Sequence, residues 1–198
     1  MSKSALVYMG LAAIAIAAIG FVTLRDPASQ GSPTDYTDIA DMRKGDMRKL
    51  IVHGNQRAAS SIPFESQNGT VMSLASFQGQ IVLVNFWATW CAPCRKEMPM
   101  LSELQSELGG EDFQVVTLAT GRNPLPAMEK FFDEIGVNNL PLYRDPQQEI
   151  AREMAVLGLP ATMILDRNGK EIARMTGDAD WSSASAKAIL RALIASES

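Results

Sequence analysis

The chain has little of what most metal sites and disulfide scaffolds require: two cysteines and one histidine in 198 residues. A closed four-ligand zinc site of Cys and His therefore lacks donors. The multi-disulfide framework of a small secreted domain is excluded as well, so the two cysteines act as a pair or do nothing special. One-sided charge is also missing. The net charge is −4, with no basic patch or stripe of the kind nucleic acid demands, so no nucleic-acid partner is expected and partner choice rests on a local site. There is no low-complexity tract, and the only repetition is a short echo of DMRKG (41–45) in DMRKL (46–50). The length suits one ordinary domain with an appendage.

What is present begins with Ala5 to Leu24, twenty residues without a charge. A helix needs about that length to cross a hydrocarbon core roughly 30 Å thick. Lys3 precedes the run, while Arg25 and Asp26 cancel after it, so the positive-inside bias keeps the N-terminus in the cytoplasm. The alternative is a cleaved signal peptide, whose apolar region is shorter, about 7–15 residues, and ends in an A-x-A-like site. Here the small residues fall inside the run, and no nearby cysteine offers a lipid attachment point. Residues 1–25 are thus expected to be a single-pass inner-membrane anchor, with the rest exported to the periplasm, where disulfides persist.

Residues 26–58 read as a tether. DPASQGSPTD (26–35) has linker composition. Between Thr37 and Val52, Ile39, Met42, Met47, Leu50 and Ile51 form a loose helical stripe broken by Gly45. That stripe suits a spacer helix packed on the domain, or else a membrane-surface or partner-binding helix. His53 reads as a surface residue.

The domain proper, 59–198, alternates strands and helices. Ile62 to Ser66 and Thr70 to Met72 flank Asn68-Gly69, a hairpin signal. The apolar run Ile81 to Trp87 suits a central strand covered on both faces. A helix from Pro93 to Leu108 and a strand from Phe113 to Ala119 follow. Next come a helix from Leu125 to Ile135, a short strand near Leu140 to Tyr143 and a helix from Gln147 to Val156. Ala161 to Leu165 and Glu171 to Thr176 form a last hairpin, and a helix from Ser183 to about Ala195 closes the chain. The pattern implies an α/β fold around a mixed sheet.

The chemistry lies in Trp90-Cys91-Ala92-Pro93-Cys94, a C-x-x-C between an apolar strand and a helix. At a helix N-terminus, unpaired N–H groups and the macrodipole favour a thiolate at the first sulfur. Arg95 and Lys96 add to that potential if they turn toward the site. Cys91 would attack a partner's disulfide and Cys94, one turn on, would resolve the mixed disulfide. Pro93 fits because the first turn needs no internal donor. By itself the motif also describes half of a zinc or copper site.

Val84 to Pro99, VNFWATWCAPCRKEMP, resembles the thioredoxin superfamily, and within it the TlpA-like and ResA-like membrane-anchored thiol:disulfide interchange proteins. The likeness covers roughly Ile62 to Ser196. It implies a thioredoxin fold, a mixed central sheet with helices on both faces, carrying the TlpA-like N-terminal hairpin and a central αβ insertion over Arg122 to Tyr143. It also implies that Pro160, in Gly158-Leu159-Pro160-Ala161-Thr162, is cis and beside Cys91, with the Leu159 backbone pairing with substrate. Trp90, Ala92 and Pro93 complete the expected substrate surface. Asn85 stands where plain thioredoxin has a buried aspartate, and Glu97 maps to a glutamate that the group often carries near the thiols. Glu97 reads either as a proton carrier of raised pKa or as one more solvated helix charge.

The resemblance implies a protein-disulfide reductase acting on apo-cytochromes c or copper-site assembly proteins. Electrons would come from a membrane carrier, with no cofactor beyond the redox-active Cys91–Cys94 disulfide. A disulfide-forming oxidant is the competing enzyme, separated by a reduction potential near −120 mV instead of about −270 mV. From another class comes a Cu(I)-binding chaperone, using the cysteines with Met98 or Met100 as soft ligands. No threonine–cysteine motif of a peroxide-reducing enzyme is present.

Overall fold

The computed structural model describes residues 36–196. The Ala5 to Leu24 run lies outside the described residues. Among those described, no helix is long and apolar enough to cross a membrane. Eight strands among the described residues form one sheet, in the order β1 (Ile51–Ala58), β8 (Lys170–Thr176), β7 (Ala161–Leu165), β4 (Ile81–Trp87), β5 (Phe113–Thr120), β6 (Tyr143–Asp145), β2 (Phe64–Glu65) and β3 (Val71–Met72). Its centre is β4 (Ile81–Trp87), in which every residue is buried. β5 (Phe113–Thr120) runs parallel to β4, and β7 (Ala161–Leu165) runs antiparallel to it. Side chains of a strand alternate between faces, and the packing follows that rule. Ile81, Leu83 and Trp87 enter one core with α2 (Ala92–Leu108), α3 (Leu125–Ile135) and α5 (Ala184–Ser196). Val82, Val84 and Phe86 enter the other with Ile150, Ala151 and Met154 around α4 (Glu149–Glu153). The sheet is thus mixed and covered on both faces, as the sequence implied.

Local signals hold where they are strong. β2 (Phe64–Glu65) and β3 (Val71–Met72) pair antiparallel across a turn in which Gly69 takes φ +80°, a conformation glycine adopts without Cβ strain. β8 (Lys170–Thr176) completes the last hairpin with β7. Two elements shift. β6 comprises Tyr143–Asp145, not 140–143, because Leu140 and Leu142 turn into the core and pairing with β5 begins at Leu118 opposite Tyr143. α4 is shorter than expected. The Asp145 carboxylate accepts from Glu149 N at 2.9 Å and Ala151 N at 3.0 Å, fixing its start, and Ala155 at φ +52° ends it.

The largest departure precedes the hairpin. The described part of the expected tether, 36–58, packs into the domain. α1 (Thr37–Asp41) and a 3₁₀ turn (Gly45–Lys49) bring Ile39, Met47 and Leu50 into the core beside α5, as the stripe suggested, while Ile51 is exposed. The chain then forms β1 (Ile51–Ala58), an edge strand antiparallel to β8 with a bulge between Val52 and Arg57. His53 lies in that bulge, half-buried, and donates to Glu171 at 2.9 Å, so it is a structural partner and not a solvated side chain.

Candidate functional site

β4 ends at Trp87, and the chain turns through Ala88–Trp90 into α2. Cys91 N donates to Ala88 O at 3.1 Å, closing that turn. Cys91 is the N-cap of α2, and its Sγ accepts from Cys94 N at 3.2 Å. The free N–H groups of a first helical turn therefore face this sulfur, as thiolate stabilisation requires. Cys91 and Cys94 form a disulfide with 5.3 Å between their Cα atoms. Both are buried, whereas Ala92 and Pro93 are exposed and Trp90 is 70% exposed on the rim. Trp87 is wholly buried and packs on α3, 5.0 Å from Phe131 and 5.2 Å from Phe132 between ring centroids. Met98 is likewise fully in the core, with Met100 packed against it.

Arg95 and Lys96 are engaged elsewhere. The Arg95 guanidinium pairs with Glu134 at 3.0 Å and lies 4.3 Å over the Phe131 ring, and Lys96 pairs with Asp178 at 3.2 Å. Each cation thus has a carboxylate partner of its own, whereas the helix terminus meets the Cys91 sulfur directly through Cys94 N. One contributor escaped the sequence. Asn123, buried at the end of β5, accepts at Oδ1 from Thr89 N at 2.8 Å and from the Thr89 hydroxyl at 3.0 Å. Its Nδ2 donates to Thr120 O at 2.9 Å, which ties the active-site turn to the end of β5. An asparagine in a loop between Arg and Pro gives no local sign of that contact.

The Leu159–Pro160 bond is cis. Ala161 pairs with Phe86 of β4 and Thr176 of β8, so Pro160 sits at the end of β7 beside the end of β4 from which the Cys91 turn departs. Leu159 is half-buried there, and Leu157, two residues earlier, is 97% exposed. The sheet thus gathers Trp90, Ala92, Pro93, Leu159 and Pro160 at one end with the disulfide. The groove of about 630 Å³ lined by Ser66, Gln114, Asn138 and Tyr143 contains none of them.

Glu97 follows Cys94 by one turn of α2 and has no exposed surface. It is not a solvated helix charge. Its Oε1 accepts from Asn85 Nδ2 at 2.7 Å, and its Oε2 lies 3.4 Å from Ala179 N. Burial, with the Asp178 charge acting in the same direction, pushes the carboxyl up to about 7, against the lowering effect of the Asn85 and Ala179 donors and of the nearby Trp181 indole. A carboxyl poised there beside the buried cysteine can take or give a proton near neutral pH.

Fold and site together define a thioredoxin-type domain built around a dithiol–disulfide pair at a helix N-terminus. The Redoxin family model matches residues 54–190, and the chain belongs to that family. It is similar to the thiol-disulfide oxidoreductase ResA of Bacillus subtilis (strain 168), 29% identical over 119 residues, covering 60% of this chain and 65% of that protein. With ResA of Geobacillus thermodenitrificans (strain NG80-2) it shares 34% over 104 residues, 52% of this chain and 59% of that one. The match therefore spans less than two-thirds of the length of these curated relatives. Among solved structures, a DsbF homologue from Corynebacterium diphtheriae superposes with a TM-score of 0.60 at 26% identity, covering 75% of this chain and 92% of that one. A thiol:disulfide interchange protein of the thioredoxin family from Chlorobium tepidum TLS gives 0.60 at 25%, covering 72% and 99%.

Proposed function

We propose that this protein is a thiol:disulfide oxidoreductase. The observation that carries the reading is the Cys91–Cys94 disulfide at the start of α2, at the same sheet end as the cis Pro160. In the reduced protein the Cys91 thiolate attacks a substrate disulfide. One substrate sulfur leaves as a thiolate, which takes a proton from water, and a mixed disulfide forms. Cys94 then gives its proton to Glu97 and attacks Cys91 Sγ, which restores the Cys91–Cys94 bond and releases the second substrate sulfur as a thiolate that water protonates. Two electrons pass to the substrate. The exposed Trp90, Ala92 and Pro93, with the backbone of Leu159 before Pro160, form the surface against which a substrate chain lies.

In its finer form the reading is an exported, membrane-anchored reductant of disulfides in apo-cytochromes c or copper-site assembly proteins, re-reduced by a membrane electron donor. Support comes from the uncharged Ala5–Leu24 run and the resemblance to the TlpA-like and ResA-like group. The test is trapping. Cys94→Ser leaves Cys91 without a resolving thiol, so mixed disulfides with substrate proteins accumulate and are identified by mass spectrometry. Absence of any adduct that reductant reverses would sink the exchange mechanism. The reduction potential of the pair fixes the direction, with a value near −270 mV expected for a reductant.

A further inference from the structure

Two enclosed polar atoms of the central strand have no partner among the described residues, Asn85 Oδ1 and Trp87 Nε1, and the first adjoins the Glu97 carboxyl. Asn85 is fully enclosed, and its Nδ2 donates both to Glu97 Oε1 at 2.7 Å and to Thr162 Oγ1 at 2.9 Å. Its Oδ1, equally buried, accepts nothing among the described residues. Enclosed polar atoms are nearly always satisfied, because an orphan forfeits hydration without recompense. The surroundings of Glu97 share the asymmetry. Asn85 Nδ2 and Ala179 N donate to Glu97 and the Trp181 indole N–H, a further donor, lies nearby, while the charged neighbour that acts on it, Asp178, is paired with Lys96. Donors suit a carboxylate, but a carboxylic acid carries its own proton and needs an acceptor. The acceptor nearest to hand is the orphan Oδ1, brought round by a half-turn of the Asn85 amide, which moves Nδ2 into the place Oδ1 held, so that one end of the amide stays unpartnered in either orientation. The neighbour that must tolerate such a turn is Thr162, opposite Asn85 in the β4–β7 register. A hydroxyl both gives and receives, so it accepts from Nδ2 in one orientation and donates to Oδ1 in the other.

We propose that Asn85 and Thr162 are positioning residues that give Glu97 a hydrogen-bond partner in both protonation states: the amide donates to the carboxylate, turns over to accept from the acid, and the Thr162 hydroxyl reverses its role with it. The inference rests on the reading in which Glu97 takes the Cys94 proton. It also explains what an asparagine does in a core strand: it responds to the carboxyl without titrating.

The two orientations differ in what they need from Thr162. With Glu97 charged, the second Nδ2 proton has only Oγ1 to accept it. With Glu97 neutral, Oδ1 already holds the acid's proton. Removing the hydroxyl therefore disfavours the charged form more. The test follows the Glu97 side-chain carboxyl by ¹³C NMR in the oxidised full-length chain as pH is varied. Thr162→Val is expected to weaken Glu97 ionisation about 2- to 10-fold, the equivalent of one net hydrogen bond. Thr162→Ser is expected to restore it, and Thr162→Ala serves if the valine variant does not fold. An ionisation constant within twofold of the unmodified protein's in both Thr162→Val and Thr162→Ala would overturn the proposal. The pH profile of mixed-disulfide resolution, measured on the same proteins, separates the two readings. If ionisation shifts while that profile does not, the positioning role stands and the Glu97 proton transfer falls.

Discussion

Replacing Glu97 by Gln should change how the stability of this protein depends on pH. In the fold the carboxyl is pushed up to about 7 from 4.5, first by burial. Between those values the folded protein holds a proton that the unfolded chain has released. Stability therefore falls as pH rises through this window and reaches its floor above the folded value. At about 1.4 kcal/mol per tenfold, the displacement corresponds to roughly 3 kcal/mol lost between pH 4.5 and 8. Glu171 does not contribute in this window. Burial opposes its ionisation, but the Arg174 and His53 hydrogen bonds outweigh that and hold it below the usual carboxylate range, so its stabilisation is lost on the acid side. The assay is guanidinium unfolding of the oxidised full-length chain at pH 5 and pH 8.5, for the unmodified protein and Glu97→Gln. The disulfide keeps both thiols from titrating, and His53 is common to the two proteins. The difference in pH dependence thus isolates Glu97, and the stability lost between pH 5 and pH 8.5 should be smaller in the glutamine variant by about 2–3 kcal/mol. Equal pH dependence in the two proteins would refute the account of a carboxyl destabilised by burial.

Three further outcomes follow from the contacts around the turn. Asn123→Ala should cost about 1–2 kcal/mol in denaturant unfolding, because Thr89 N loses its partner within a half-buried turn; a change under 0.5 kcal/mol would show that the turn satisfies itself. Phe132→Ala removes the ring stacked on Trp87 and should cost about 3–5 kcal/mol. Glu134→Gln should cost less than about 1 kcal/mol by the same measurement, since its pair with Arg95 is more than two-fifths exposed on both sides.

The sequence by itself determined the elements whose signal is local. β4 was readable because a strand covered on both faces is apolar throughout, α3 because its buried Met128, Phe131 and Phe132 recur at helical spacing, and the β2–β3 turn because Asn-Gly meets the backbone demand there. The cysteine pair was readable for the same reason: strand, C-x-x-C and helix lie in one unbroken stretch. Only the tertiary structure decided the rest. β1 exists through pairing with β8 more than a hundred residues away, and its bulged sequence carries no alternation of its own. Arg95 and Lys96 looked like part of the site until Glu134 and Asp178, from distant segments, claimed them. Glu97 is the sharpest case. In sequence it is one acidic residue in a charged helix. Enclosure by Asn85, Ala179 and Trp181, drawn from three separate parts of the chain, removes its water and sets its proton affinity. Desolvation is a property of the assembled core, and the identity of one residue does not encode it.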